Sequence, residues 1–480
     1  MGMAALPDPS SFSSNRVARR RRGVTLSFVS SRTESWPYAR YHRRLFLIGG
    51  LGYAFDAMDT AVLAFILPVL RSLWSLSSAQ TGVLGSVAYI GFFFGALGAG
   101  LLGDVFGRRR VMMYALAIYA AASLASAWST SWSMFLVLRI IAGIGTGAES
   151  AIIAPYLAEF VAKRYRGTFV GALTGFFSFG FVAAAALGYF VVRSSAEGWR
   201  VVLIITALPV GMLLWWRRSL DESPRWLESR GRHAEARAII AKIESTFDQR
   251  TPSSDTAAEA AAESGKDLGR PSLKVLLQGL WHGRQARVTT MAWLMWLSLT
   301  FSYYLFFTWI PGLLMQKGMG ITQSFGYSFI IYLAQIPGYF SAALLNEKIG
   351  RKGTIVLYMT MGTAFALAMA FAHDHQAILL AGACLSFAMN GAYAGVYAYT
   401  AEIFPTAIRA IGAGSSSAVG RIGAISAPLL VGLLYPVLGF GGVFAMTTVV
   451  LAAGVCAVIL LGPQTTGLSL EAIAAEEGSP

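Results

Sequence analysis

GLLGDVFGRRR at residues 100–110 returns, altered but still legible, as ALLNEKIGRKG at 343–353. LAEFVAKRYRG at 157–167 returns as TAEIFPTAIRA at 400–410. Gly107 then aligns with Gly350, Glu159 with Glu402 and Arg166 with Arg409, all at one offset of 243 residues (350 − 107, 402 − 159, 409 − 166). One offset that serves two separate motifs marks an internal duplication. The sequence around the motifs is apolar. Of 480 residues, 55% are hydrophobic and 13% charged, against about 25% charged in a soluble domain. Apolar runs of about 20 residues recur, long enough to cross a bilayer as helices. About twelve can be counted, six before residue 218 and six after residue 286. Barrel strands would be shorter and would alternate in polarity. The pattern predicts an all-α membrane protein, with twelve transmembrane helices in two six-helix halves related as a parallel repeat.

The expected organisation is a cytoplasmic tail over 1–43, a first half over 44–217, a central cytoplasmic loop over 218–286, a second half over 287–462 and a cytoplasmic tail over 463–480. Within the loop, 221–247 reads as short amphipathic helices and 248–272 as a flexible linker. The net charge of +14 does not point to nucleic acid, because of where it lies. Basic clusters at Arg19–Arg22, Arg108–Arg110, Lys163 to Arg166, Arg217–Arg218, Lys348 to Lys352 and Arg409 fall in the N-terminal tail or in every second gap between apolar runs. The other gaps hold few cations, Arg71, Arg193 and Arg200 among them. The positive-inside rule then sets both termini in the cytoplasm of a multi-pass inner-membrane protein. Cys384 and Cys456 fall in apolar runs and indicate no disulfide framework.

Few ionisable residues interrupt the apolar runs: Asp56, Asp59, Arg139, Glu149 and Arg421. Each costs about 2.5–3.5 kcal/mol at the centre of a spanning helix, so it faces a cavity or a partner and marks function by default. Asp56 and Asp59, at i and i+3, share one helix face, and two close carboxylates in a partly dry site do not both ionise readily. With Glu149 they are candidates to carry a proton; the other reading ties them to arginines as fixed struts. Arg139 and Glu149 are roughly 15 Å apart along a helix and cannot pair, so each needs a partner on another helix, and Asp56 or Asp59 is one option for Arg139. Arg421 interrupts SSSAVGRIGAISAPLL (415–430), whose small residues let a neighbour or a ligand approach. A guanidinium can hold a carboxylate through two parallel hydrogen bonds. Phe301, Tyr303, Tyr304 and Trp309, with Tyr393 and Tyr397, offer aromatic faces for a flat ring, and Gln335 and Asn390 add polar groups. No nucleophile–base set, metal-ligand cluster or phosphate-cradling loop is legible, so neither an enzyme nor a cofactor or metal is expected.

GLLGDVFGRRR resembles the loop signature G-x-x-x-D-x-x-G-R-R/K of the major facilitator superfamily, and the second copy keeps Gly350-Arg351-Lys352 with Glu347 in place of the aspartate. RIIAGIGTGAE (139–149) resembles that superfamily's fourth-helix motif. DESPRWL (221–227) and PQTTG (463–467) resemble the ends of the two halves in its sugar and organic-ion branches. The resemblance covers about residues 40–475. The stretch 171–190 lacks the Gly-Pro pattern of drug–proton antiporters, and 296–311 lacks the Gln-Gln and Gly-x-Asn pattern of sugar porters. FDAMDTAVLAF (55–65), TFSYYLFFTWIPGLLMQKG (300–318), LAQIPGYFSAALLNEKIGRK (333–352), YAYTAEIFPTAIRA (397–410) and GRIGAISAPLLVG (420–432) are similar to stretches of the bacterial niacin (nicotinate) transporters.

The resemblance implies a carrier that imports nicotinate or a related aromatic monocarboxylate by proton-coupled alternating access, with Arg421 selecting the anion. It also implies a gate on the cytoplasmic side built from Asp104, Arg108, Glu159 and Arg166 and their repeats Glu347, Arg351, Glu402 and Arg409. The spacing of seven in Glu159–Arg166 and in Glu402–Arg409 suits pairing across a short loop. The alternatives are a benzoate-type acid or nicotinamide as substrate, where Arg421 favours the acid, and a transporter-like nutrient sensor. The tail of about 18 residues after 462 is short for a sensor. The expected partners are the small molecule, protons and the lipid bilayer, with no nucleic acid, for a chain acting as a monomer.

Overall fold

The computed structural model describes residues 28–247, 273–405 and 408–464. The expected linker at 248–272, the Arg19–Arg22 cluster and most of the C-terminal tail lie outside the described residues. A short helix α1 (Phe28–Ser35) leads into the rods α2 (Arg40–Leu73), α3 (Ser78–Phe106), α4 (Arg108–Ser126) and α5 (Trp132–Ala158). The fifth rod is broken at Gly175 into α6 (Lys163–Thr174) and α7 (Phe176–Phe190). The sixth comprises α8 (Gly198–Ala207), a 3-10 turn and α9 (Met212–Ser219). Three short helices follow: α10 (Pro224–Ser229), α11 (His233–Glu244) and α12 (Leu273–Leu280). The second half holds α13 (Arg284–Gln316), α14 (Ile321–Leu333), α15 (Gln335–Lys348), α16 (Gly350–Phe371), α17 (His375–Ile403) and α18 (Arg409–Leu461). Non-helical Gly439, with φ +60°, divides α18 between the last two apolar runs. Joined across the breaks in the fifth rod and between α14 and α15, nine helices among the described residues are long and apolar enough to cross a membrane.

The duplicated motifs act through backbone geometry. Gly107 (φ +97°) ends α3 and opens α4 directly, and Gly350 (φ +78°) does the same between α15 and α16. A side chain in that left-handed region costs roughly 1–2 kcal/mol, which explains glycine in both copies. The crossings repeat as well. A Cβ on Gly95 would stand 2.0 Å from the Ile144 carbonyl oxygen, and one on Gly338, 243 residues later, 2.3 Å from the Phe387 oxygen. Thus α3 crosses α5 as α15 crosses α17, backbone against backbone, a packing that small residues permit between apolar helices.

The two halves meet tightly at the end remote from the termini. There a Cβ on Gly82 of α3 would lie 2.9 Å from Gly432 Cα of α18, and Phe65 meets Phe325 edge-on at 5.4 Å. At the end nearer the termini the halves part around a space of about 1100 Å³ bordered by Tyr53, Phe93, Leu97, Ala154, Val170 and Gly414. Residues 28–36 depart from the expectation of a plain tail. Arg32 Nη2 lies 2.6 Å from Glu244 Oε2, Trp36 Nε1 donates to Glu244 Oε1 at 3.0 Å, and Trp36 is buried. The reason is local: one aromatic side chain gains burial against the helices of the central loop, and a half-buried ion pair holds it there.

Candidate substrate site

A cavity lies between the halves, about 830 Å³ with the solvent space it opens to, with α2, α3 and α6–α7 on one side and α13, α15, α17 and α18 on the other. Of the candidate binding residues, Arg421, Tyr303, Tyr304, Asn390, Tyr393 and Tyr397 line it. Arg421 Nη1 is 3.5 Å from the Tyr304 hydroxyl, and its guanidinium carbon lies 4.1 Å from the centre of the Phe92 ring. Among the described residues no carboxylate pairs with it. The rings around it are mutually braced: Tyr303 meets Tyr393 edge-on at 4.9 Å and Trp296 meets Tyr397 at 5.1 Å. Tyr393 donates to Thr300 Oγ1 at 3.1 Å, and Trp296 Nε1 to Thr400 Oγ1 at 2.9 Å. Such edge-to-face pairs add about 0.5–1.5 kcal/mol each beyond area burial and set ring orientation.

Three expected binding residues lie elsewhere. Phe301 sits where α13 crosses α18: a Cβ on Gly423 would be 2.9 Å from the Phe301 nitrogen, so this position is committed to helix packing. Trp309 lies further along α13, donates to the Pro428 carbonyl at 3.2 Å and lines a separate cavity. Gln335 is buried behind the wall, where its Oε1 accepts from the Tyr303 hydroxyl at 3.2 Å. Conversely, Tyr89, Phe92, Phe181, Trp296, Thr300 and Tyr339 line the cavity without having been singled out. The spacing of Trp296, Thr300, Tyr303 and Tyr304 at i, i+4, i+7 and i+8 was the available signal for two of them.

The buried acids divide by partner. Arg139 Nη1 is 3.4 Å from both oxygens of Asp59, Ser123 donates to Asp59 Oδ1 at 2.6 Å, and Arg139 Nη2 donates to Ser123 at 2.8 Å. Asp56 lines the cavity; its Oδ2 accepts from Ser150 at 2.9 Å, while Oδ1 has no hydrogen-bond partner among the described residues. Glu149 is fully buried against Gly52 of α2, and among the described residues neither of its oxygens has a hydrogen-bond partner. Asp59 is thus ion-paired with Arg139, whereas no cation partner of Asp56 or Glu149 is found among the described residues. Among the described residues no group of three His, Cys, Asp or Glu side chains is placed to hold a metal ion.

The charged residues near the termini pair differently from the expectation across loops. Arg108 pairs with Glu159 and lies 3.7 Å from Asp104, and Arg351 Nε is 2.9 Å from Glu402 Oε1. Arg166 turns back onto the end of α5, donating to the carbonyls of Ala158 and Val161 at 3.0 and 3.1 Å, and meets Glu34 at 3.2 Å. Arg409 likewise donates to the Phe404 carbonyl at 3.2 Å. Carbonyls exposed at a helix end compete for these guanidinium groups. Glu347 is exposed at the end of α15, and no ion pair of it is found among the described residues.

Comparison with known proteins agrees with this architecture. Residues 27–476 match the profile of the family described as sugar (and other) transporter. The niacin transporter NiaP of Acinetobacter baylyi is 37% identical over 444 residues, covering 92% of this chain and 99% of that protein. A Bacillus subtilis relative named for niacin/nicotinamide transport is 36% identical over 433 residues, covering 89% and 98%. The partially occluded inward-open structure of the xylose transporter XylE from E. coli superposes with a TM-score of 0.74 at 21% identity, over 90% of this chain and all of that one. The chain thus belongs to the sugar (and other) transporter family of the major facilitator superfamily, and is a multi-pass membrane transporter.

Proposed function

We propose that this transporter imports nicotinate, or a closely related aromatic monocarboxylate, by alternating access in symport with protons. The observation that carries the reading is Arg421, a guanidinium on a largely aromatic cavity with no carboxylate partner among the described residues. Arg421 is half-buried, and a cation partly withdrawn from water without a counter-charge carries a desolvation cost. A substrate carboxylate supplies the missing partner through two parallel hydrogen bonds, and its ring finds the faces of Tyr303, Tyr304 and Trp296. The niacin relatives support the same substrate. Asp56 on the cavity and Glu149 behind it are the carboxylates that take up and release the proton, while Asp59 stays tied to Arg139. The halves rock about this site. The Arg108–Glu159 and Arg351–Glu402 pairs, individually weak, steady the cytoplasmic end of each half. Basic loops favour an inner-membrane orientation with both termini in the cytoplasm, and a cavity contained within one chain suits a monomer.

The test is uptake of labelled nicotinate into proteoliposomes holding the purified protein, with membrane voltage clamped and an inward proton gradient present or absent. Saturable uptake accelerated by the gradient supports symport. Saturable uptake indifferent to it removes the proton from the cycle. Transport of benzoate but not nicotinate moves the substrate to benzoate-type acids, which Arg421 would hold equally well.

A further inference from the structure

At the end remote from the termini lies a second cavity, of about 550 Å³, between the tips of α2, α3 and α13. Arg71, Thr81, Thr308, Trp309, Met315 and Gln316 border it. Arg71 Nη2 donates to Ser78 Oγ at 3.0 Å, and no carboxylate pairs with it among the described residues. The acids of this end are committed elsewhere. Glu197 pairs with Arg200, and Asp374 Oδ1 accepts from the Ala377 nitrogen at 2.8 Å, capping α17. Other cations here are also engaged: Arg193 stacks on Tyr189 at 4.3 Å and Lys317 on Phe440 at 4.9 Å. Arg71 instead borders open space, on the same cavity that Trp309 lines. Only a thin polar partition separates this space from the central one. Thr308 borders the outer cavity and Tyr89 the central cavity, and their hydroxyls are 3.3 Å apart.

We propose that the outer cavity is a second binding site for an aromatic carboxylate, in which Arg71 takes the carboxylate and Trp309 the ring before the molecule passes Tyr89 and Thr308 to reach Arg421. The inference rests on the reading of the central site given above. It accounts for a cation in a gap where the positive-inside pattern does not call for one, and for an indole facing a cavity that the central site does not use. A mouth with more cations than acids also concentrates anions from solution. The competing role for Arg71 is support of the end of α2, where a cation meets the helix dipole favourably. That role affects stability and binds nothing.

Equilibrium dialysis of labelled nicotinate, and separately of benzoate, against the detergent-solubilised protein decides between them. The expected result is two molecules per chain. Arg71→Gln should weaken one site about tenfold and leave the other unchanged, the loss of one charge-assisted contact, and Arg421→Gln should weaken only the other. Arg71→Lys should restore most of the outer site, and that site should weaken further with added salt. Binding of one molecule that depends on Arg421 and is indifferent to Arg71→Gln overturns the inference and leaves the central reading standing. Reduced thermal stability of Arg71→Gln with both sites intact also overturns it, as helix-end support. Wild-type protein that binds neither acid overturns the central reading, and the inference with it.

Discussion

Arg351 Nε lies 2.9 Å from Glu402 Oε1, and the residues 243 positions earlier, Arg108 and Glu159, form the matching pair. The duplication has kept this pair, the left-handed glycines Gly107 and Gly350, and the close crossings at Gly95 and Gly338. It has not kept the residues at the centre. Asp56, Asp59, Arg139 and Glu149 correspond to Leu299, Ser302, Gly382 and Ala392, and Arg421 corresponds to Ser178. The scaffold is symmetric, but the acids belong to one half and the Arg421 guanidinium, without a carboxylate partner among the described residues, to the other.

The matched ion pairs make the first prediction. Arg351 and Glu402 are each about a third exposed or less, and their contact is close without the alignment of a good hydrogen bond. Their coupling should therefore be small, about 0.2–1 kcal/mol. A cycle of Arg351→Ala, Glu402→Ala and the double variant, followed by thermal unfolding, measures it. A coupling well above that range would mean the pair is more deeply desolvated than its exposure indicates.

Asp59 and Arg139 should behave otherwise, because both are almost completely buried. Arg139→Gln leaves a buried carboxylate without its cation and should cost about 3–5 kcal/mol. Adding Asp59→Asn should recover part of that loss, because the stranded charge is then gone. Thermal melts of the two single variants and the double variant read this directly. A double variant no more stable than Arg139→Gln would rule out the ion pair as the source of the loss.

The sequence carries the helices and the repeat because both rest on local properties: the length of an apolar run, and a motif that needs glycine at a left-handed turn. It also carries the face shared by Tyr393 and Tyr397, at i and i+4, since periodicity places residues around a helix. It does not show which face looks inward or how far along the axis the cavity extends. Phe301 lies off the central cavity because Gly423 brings α18 against α13 at that point, and Trp309 because the Tyr89 and Thr308 hydroxyls stand between the central cavity and the one it lines. Tyr89 and Phe92 are invisible among the apolar residues of α3. Arg166 was given to a loop-spanning pair because its neighbour Glu34 comes from a segment whose composition suggests a tail.

Asp56 and Glu149 supply the third prediction, which bears on the proposed coupling. Glu149→Gln removes a carboxylate that has neither a hydrogen-bond partner nor an ion pair among the described residues, so the fold should tolerate it. In the proposed cycle such a variant should still exchange labelled for unlabelled nicotinate across a membrane but should fail to accumulate it against its gradient when protons drive transport. Asp56→Asn, on the cavity itself, should show the same separation. Accumulation at the wild-type level in both variants would place the proton on another group.

The last prediction concerns Arg421, where charge and shape can be separated. Lysine keeps the positive charge but presents a single ammonium in place of a planar fork, so it cannot give a carboxylate two parallel bonds. It also loses the flat face that lies over Phe92, 4.1 Å from the ring centre. If recognition were by charge alone, Arg421→Lys would leave nicotinate affinity nearly unchanged. If the fork matters, affinity should fall about tenfold, the equivalent of one charge-assisted hydrogen bond. Nicotinamide is the control: it has the same ring but no charge, so any affinity the protein has for it should change far less. Competition of both compounds against labelled nicotinate, in wild type and Arg421→Lys, gives the two ratios in one experiment. A fall for nicotinate matched by an equal fall for nicotinamide would assign Arg421 to shaping the cavity through Phe92 and Tyr304, and would take the carboxylate away from it.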